Sequence, residues 1–84
     1  MSRKRKLYDR IKNNPKNVTF QDLDQLLQEA GFTLKKQGGG TSHYVYKIKG
    51  CFELLTVPFA RPLEEVYVKK ALKFIQIYGN LDED

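Results

Sequence analysis

The residues of this 84-residue chain best suited to chemistry are one histidine and the glycine-rich stretch before it. His43 comes directly after Gly39, Gly40, Thr41 and Ser42. Glycines allow backbone N–H groups to approach a phosphate closely, and the two hydroxyl groups add further donors. Histidine side chains titrate near neutral pH, so they can take up or release a proton. These five residues therefore form a candidate site for acid–base chemistry at a phosphate group.

Three lysines flank this histidine in the sequence and would supply positive charge: Lys35, Lys36 and Lys47. RNA carries its own nucleophile, the ribose 2′-hydroxyl. Its cleavage needs a base for that proton and cations for the charge that develops on the phosphate. One histidine among lysines can meet both needs without a metal ion or a cofactor. A hairpin turn in which His43 merely begins a strand accounts for the same residues without any chemistry.

Other classes of protein leave no comparable pattern in the sequence. It has no dinucleotide-binding or phosphate-loop motif. Cys51 and His43 are the only cysteine and histidine, too few for a structural zinc site or an internal disulfide. The longest apolar run has three residues, whereas a membrane-spanning helix needs about 20. No apolar stretch follows the basic N-terminus as in a secretory signal, so we predict a cytoplasmic protein without a membrane partner.

Positive charge is concentrated in two blocks of the sequence. The net charge is +5, made of +6 over residues 1–16, −3 over 17–30, +4 over 31–62 and −2 over 63–84. Basic blocks attract phosphate backbones, with an affinity that falls as salt rises. Small basic domains are also common for reasons of solubility alone.

The elements that must position these residues can be predicted from local patterns. Residues 3–13 have a narrow apolar stripe on a basic helix. Thr19 is a suitable N-cap for a second helix, which Gly31 ends. The alternation at 32–36, the β-branched and aromatic residues at 43–49, and the stretch 52–57 predict three strands. A last helix follows Pro62, with an apolar stripe whose members are Leu63, Val66, Tyr67, Ala71, Phe74, Ile75 and Tyr78.

This order predicts one α+β domain over residues 1–84. We expect a basic N-terminal helix and linker at 1–17, an α-β-β-β-α core at 18–79 and an acidic tail at 80–84. The short gaps between strands favour a three-stranded antiparallel sheet. The amphipathic helices would cover one of its faces and leave the other free for a ligand. Either Val45 or the set Tyr44, Tyr46 and Ile48 could face the helices.

Several segments of the chain resemble the HicA family of toxins, the mRNA-cleaving half of HicA–HicB toxin–antitoxin systems. They are NPKNV at 14–18, AGF at 30–32, TSHYVY at 41–46, LTVPFARPL at 55–63 and YVKK at 67–70. The resemblance covers about residues 7–79. It implies a fold like that of the double-stranded-RNA-binding domain, with a single catalytic histidine at His43. It also implies a HicB-like antitoxin that covers this face and blocks the histidine.

Two positions depart from the family pattern. Thr41 stands where the family usually has the glycine before Ser-His, and Ala60 stands where related sequences often have a histidine. A second proton carrier would then be a lysine, a tyrosine or water.

Three functions remain open on this sequence. The first is a metal-independent endoribonuclease toxin in which His43 is the base or acid. Gly39, Gly40, Thr41 and Ser42 would hold phosphate, and Lys35, Lys36 and Lys47 would bind the RNA backbone. The second is a non-catalytic RNA- or DNA-binding module of the same fold. The third is a protein-interaction domain that docks a partner through Tyr44, Tyr46 and Phe52.

Overall fold

A computed structural model describes residues 3–37, 43–59 and 63–81 of the chain. The helices in these ranges are α1 (Arg3–Asn13), α2 (Phe20–Glu29) and α3 (Glu65–Tyr78), with one 3-10 turn at Pro15–Asn17. The strands are β1 (Thr33–Gln37), β2 (His43–Lys47) and β3 (Leu55–Pro58). This order confirms the predicted α+β class and the α-β-β-β-α succession with an additional helix in front.

Helix α2 begins and ends at the residues that its sequence indicates. The Thr19 hydroxyl accepts a hydrogen bond from the backbone N–H of Asp22 at 3.1 Å, which satisfies one of the helix's free donors. At the other end Gly31 has φ +108°, in the left-handed region that glycine adopts readily. Gly31 and Phe32 then donate backbone hydrogen bonds to Gln28 and Leu27, the paired arrangement of a Schellman cap. The cap turns the chain directly into β1.

The three strands form one antiparallel sheet in the order β1-β2-β3, as predicted. In the second pair, His43 lies opposite Pro58 and Tyr46 lies opposite Leu55. In the first pair, Leu34 lies opposite Tyr46 and Lys36 lies opposite Val45, so Lys35 is an extra residue in β1. This extra residue is a β-bulge.

The hydrophobic core lies between one face of the sheet and the helices. Its fully buried side chains include Tyr46, Leu55 and Val57 from the strands and Leu23 and Leu26 from α2. Each buried side chain of this size contributes about 1.5–3 kcal/mol relative to an exposed one. Of the two alternatives left open by the sequence, the set Tyr44, Tyr46 and Ile48 therefore faces the helices, and Val45 does not.

Helix α1 packs on the other helices and not on the sheet. It contacts α2 and α3, and within the described ranges it contacts no strand. Tyr8 and Ile11 are buried in this contact, and Lys4, one turn before Tyr8, is only 8% exposed. The predicted stripe of α1 is therefore used for packing, while most of its basic residues remain exposed.

Two predicted element patterns are wrong in detail. Strand β3 begins at Leu55, not Phe52, and Phe52 is fully exposed. A strand continued backwards would place Glu53 on the same side as Leu55 and Val57, where the helices pack, so the chain leaves the sheet instead. Pro58, predicted to follow β3, is its last residue.

The apolar stripe of α3 is also rotated from the predicted one. Val66 and Tyr78 are 63% and 39% exposed, whereas Val68 and Leu72 are buried. Leu72 lines a groove beside α1, so α3 buries side chains against a neighbouring helix as well as beneath the sheet. The end of α3 is fastened by Asn80, whose backbone N–H donates to the Ala30 carbonyl at 2.9 Å, and by Leu81, which is buried.

Candidate active site

Alternate residues of β2 belong to two different surfaces. Successive side chains of a strand point to opposite faces, so His43, Val45 and Lys47 share one face and Tyr44 and Tyr46 share the other. Tyr46 is completely buried on the helix side, whereas His43 and Lys47 are exposed. We refer to the face of His43, Val45 and Lys47 as the open face.

His43 is the first residue of β2 and is held by a paired backbone. Its Cα is in register with that of Pro58 in β3, and the next residue, Tyr44, is in register with Val57. The imidazole is therefore carried on a strand rather than on a loop, and it is exposed to solvent. A ligand on the open face can reach it without any movement of the core.

Three aromatic rings fasten the strand from its other side. The ring centroids of Phe20 and Tyr44 are 4.6 Å apart, and those of Phe20 and Phe59 are 5.0 Å apart. Tyr44 and Phe59 are 6.2 Å apart and complete the cluster. Tilted pairs at these distances are favourable contacts for aromatic rings. They connect α2, β2 and the end of β3 next to His43, a support that the sequence analysis did not predict.

The second tyrosine of β2 has a hydrogen-bond partner inside the fold. The Tyr46 hydroxyl donates to Oδ1 of Asp24 in α2 at 2.5 Å. Burial raises the pKa of Tyr46 well above its ordinary value, and the hydrogen bond to Asp24 and its negative charge raise it further. Because Tyr46 is neutral and points away from the open face, it is unsuited to proton transfer there.

The buried position of Tyr46 also corrects the predicted protein-docking surface. That surface required Tyr44, Tyr46 and Phe52 to be exposed together. Tyr46 is not exposed at all, and Tyr44 is half-buried against Phe20. Only Phe52 remains exposed, so the three side chains do not form one docking surface.

The candidate lysines occupy β1 and the far end of β2. Lys47 is four residues from His43, so their Cα atoms are about 13 Å apart at ~3.3 Å per residue. Lys35 is exposed at the bulge of β1. The backbone of Lys36 is paired with Val45, which places it diagonally across from His43, about 7–8 Å away.

The bulge decides which residue of β2 lies opposite Lys36. With regular pairing after Leu34 opposite Tyr46, Lys35 would oppose Val45 and Lys36 would oppose Tyr44 on the helix side. The extra residue shifts the register by one, so Lys36 opposes Val45 instead.

Part of the predicted site lies outside the described residues. This applies to Gly39, Gly40, Thr41 and Ser42, and also to the departure from the family pattern at Ala60. Within the described residues, the strand positions of Lys35 and Lys36 lie beside that of His43 in the sheet, whereas Lys47 lies at the far end of β2.

Cys51 is not part of this site. It is buried, as predicted, and its thiol lies 3.6 Å from the Glu53 carbonyl oxygen, to which it donates. Cys51 follows the end of β2, whereas His43 is the first residue of that strand, so the two residues are separated by the length of the strand. They are not arranged as a nucleophile and its base.

The described residues contain neither a metal site nor a membrane-spanning helix. In ranges 3–37, 43–59 and 63–81, no three His, Cys, Asp or Glu side chains lie together in a way that could hold a metal ion. Across the same ranges no helix is long and apolar enough to span a membrane, since even the 14-residue α3 falls short of about 20.

Comparisons with known proteins add no relative to this description. Neither the protein-family models, nor the curated proteins, nor the solved structures contain a match to the chain. The resemblance to the HicA family therefore rests on the sequence segments quoted above. The fold and the open face rest on the structure itself.

Proposed function

We propose that this chain is the toxin of a type II toxin–antitoxin pair, an endoribonuclease that cleaves mRNA in the cytoplasm with His43. The observation that carries the proposal is the exposure of His43 on the open face, at the start of a paired strand. We propose further that the α-β-β-β-α core has the fold of a double-stranded-RNA-binding domain, as the resemblance to the HicA family implies.

His43 would act first as the general base. Its imidazole nitrogen takes the proton of a ribose 2′-hydroxyl, and the 2′-oxygen attacks the adjacent phosphorus. The bond from phosphorus to the 5′-oxygen breaks, which leaves a 2′,3′-cyclic phosphate and a 5′-hydroxyl. The attacking group comes from the RNA, so the protein needs neither a nucleophile of its own nor a cofactor.

The departing 5′-oxygen must receive a proton from a second group. The tyrosines of β2 are poor candidates, since Tyr44 and Tyr46 belong to the helix side of the strand and Tyr46 is already bonded to Asp24. Lys47 is about 13 Å away along the strand, too far for direct transfer at the same phosphate. This leaves the lysines of β1, above all Lys36, and water as the donors we propose.

Positive charge on and beside the open face would hold the RNA strand. Lys47 and Lys35 are exposed, and Lys36 is paired opposite Val45 on this part of the sheet. We propose that they contact successive phosphates, while Gly39, Gly40, Thr41 and Ser42 hold the phosphate that reacts. A preorganised cationic setting stabilises the charge that develops there.

The proposed partner is a HicB-like antitoxin that covers the open face. Because His43 is exposed at this surface, a bound protein would exclude RNA from it without any change in the fold. A small antitoxin-like reading frame beside the gene would support this pairing, and co-expression of its product should relieve growth arrest.

The test compares wild-type protein with the variant His43→Ala. Both are purified in the same way and incubated with end-labelled RNA in the presence of a chelator. We expect wild-type protein to cleave, and the variant to be about 10²–10⁴-fold slower, the usual contribution of a general base. Substrate with a 2′-deoxyribose at the cut site should resist both proteins.

Circular dichroism gives the control, since an exposed histidine should not affect the melting temperature. A folded variant that cleaves as fast as wild type would exclude His43 as the catalytic residue. Wild-type protein that binds RNA with steep salt dependence but leaves it intact would instead indicate the non-catalytic module.

A further inference from the structure

We propose that a groove between α1 and α3 binds the phosphate backbone of RNA, at a surface separate from the open face. The groove has a volume of about 240 Å³. Its lining includes three lysines and three apolar or aromatic residues, namely Lys12, Lys69, Lys73, Tyr8, Pro15 and Leu72. No carboxylate and no strand residue is among the lining residues of the groove.

The lysines of this groove differ in whether they form an ion pair with a carboxylate. Lys69 forms an ion pair with Glu65 at 2.8 Å, one turn earlier in α3. Within the described ranges, Lys12 and Lys73 form no ion pair, and both are exposed. The groove therefore offers two ammonium groups, from two different helices, that are available to an anionic ligand.

An anionic backbone suits this groove better than an acidic protein surface does. Tyr8 and Leu72 are only 6% and 8% exposed, so neither offers a bound protein a large apolar side chain to contact. The same helix α1 belongs to the segment 1–16, which has a net charge of +6, and α3 adds Lys70 beside Lys69. A long cationic surface of this kind matches a repeating phosphate chain.

The groove would act differently from the open face. Helix α1 contacts α2 and α3 and, among the described residues, no strand, so RNA in the groove lies on elements that do not carry His43. Lysine contacts to phosphate are ionic and independent of sequence. The groove would thus add affinity for any RNA strand. This inference takes RNA as its ligand from the proposed function, but it does not require cleavage.

The experiment measures binding with an RNA that cannot be cut. A labelled 2′-O-methyl RNA of 20 nucleotides is titrated by fluorescence anisotropy between 0.05 and 0.5 M salt. For a single strand, each lost phosphate contact reduces the slope of log affinity against log salt concentration by about 0.7. If affinities are equal at 1 M salt, this corresponds to about fivefold weaker binding at 0.1 M. We expect about fivefold for Lys73→Gln and about 25-fold for Lys12→Gln with Lys73→Gln.

Two controls distinguish an effect of the groove lysines on RNA affinity from an effect of net charge alone. Lys49→Gln removes one exposed positive charge between β2 and β3 and should change affinity less than twofold. Lys12→Arg with Lys73→Arg retains both charges and should bind as wild type does. Because Lys12 and Lys73 are exposed, the melting temperature should be the same in all variants.

Either of two results would overturn the proposal. One is an affinity for the double glutamine variant equal to that of Lys49→Gln. The other is a poly-glutamate peptide that binds wild-type protein and loses binding in the double variant while RNA binding is unchanged, which would assign the groove to an acidic protein segment. Loss of cleavage in His43→Ala with RNA binding retained would leave the groove proposal intact.

Discussion

The two faces of the five-residue strand β2 differ in burial: the side chains on one face pack against the helices, and those of His43 and Lys47 on the other are exposed. On the helix side, Tyr44 packs against Phe20 and Tyr46 is completely buried and bonded to Asp24. On the open face, His43 and Lys47 are exposed. Stability is therefore concentrated at the even positions of the strand, and the proposed chemistry at the odd ones.

This division means that a strand can present reactive groups without weakening the core. A buried histidine or lysine would need a partner to offset the loss of hydration, and such a partner would reduce its freedom to serve a substrate. Here the pleat alone separates the two roles. Substitutions at neighbouring positions should consequently have opposite effects on stability and on activity.

The largest difference is expected in β3, where adjacent residues lie on opposite faces. Leu55 is buried and Thr56 is exposed. We expect Leu55→Ala to lower the free energy of unfolding by about 2–5 kcal/mol, because it removes core contacts and leaves a cavity. Thr56→Ala should cost less than about 1 kcal/mol. Urea unfolding of both variants checks this, and similar losses would contradict the assignment of faces.

A smaller and pH-dependent effect is expected for Tyr46→Phe. The variant loses the hydrogen bond to Asp24, which still accepts one from Gln28 at 2.9 Å, so we expect a loss of about 1.5 kcal/mol near pH 7. The pKa of Tyr46 is raised in the folded state, so above pH ~10 the unfolded chain loses this proton first. The contribution of Tyr46 to stability should then fall by about 1.4 kcal/mol per pH unit.

Denaturant unfolding between pH 7 and 11 tests the sign of this effect. The difference in the free energy of unfolding between wild type and Tyr46→Phe should become smaller above pH ~10. Tyr78 also has a raised pKa, chiefly through its hydrogen bond with Cys51, but it is present in both proteins and cancels in the difference. A constant gap across this pH range would argue against a buried, neutral Tyr46.

The smallest effect is expected for the charge at the far end of β2. Lys47→Gln should lower kcat/KM for RNA cleavage by about fivefold at 0.1 M salt, through one lost phosphate contact. The loss should shrink as salt rises, and the melting temperature should stay the same because Lys47 is exposed. Lys49→Gln is the matched control, and an equal loss there would show that only net charge matters.

Much of this fold follows from local sequence signals. The cap at Thr19 and the glycine at Gly31 predict both ends of α2, because each supplies a hydrogen bond or a backbone conformation that few residues can provide. The alternation and the short connections predict an antiparallel sheet in sequence order. For the candidate site, the sequence predicted that β2 begins at His43. The exposure of the His43 side chain, in contrast, is known only from the structure.

The remaining features depend on contacts between distant residues. The bulge at Lys35 reflects the pairing of β1 with β2, and the apolar stripe of α3 is shifted because Leu72 packs beside α1. Strand β3 begins only at Leu55, because an earlier start would place Glu53 on the side of the core. None of these can be read from periodicity within one segment.

The outer strands of the sheet have a consequence for how copies of this chain behave together. Edge strands can pair with another molecule and lead to aggregation. In β1 the bulge at Lys35 interrupts the regular ladder, and in β3 the last residue, Pro58, has no N–H to donate. Each outer strand thus carries an obstacle to edge-to-edge pairing between copies of this chain.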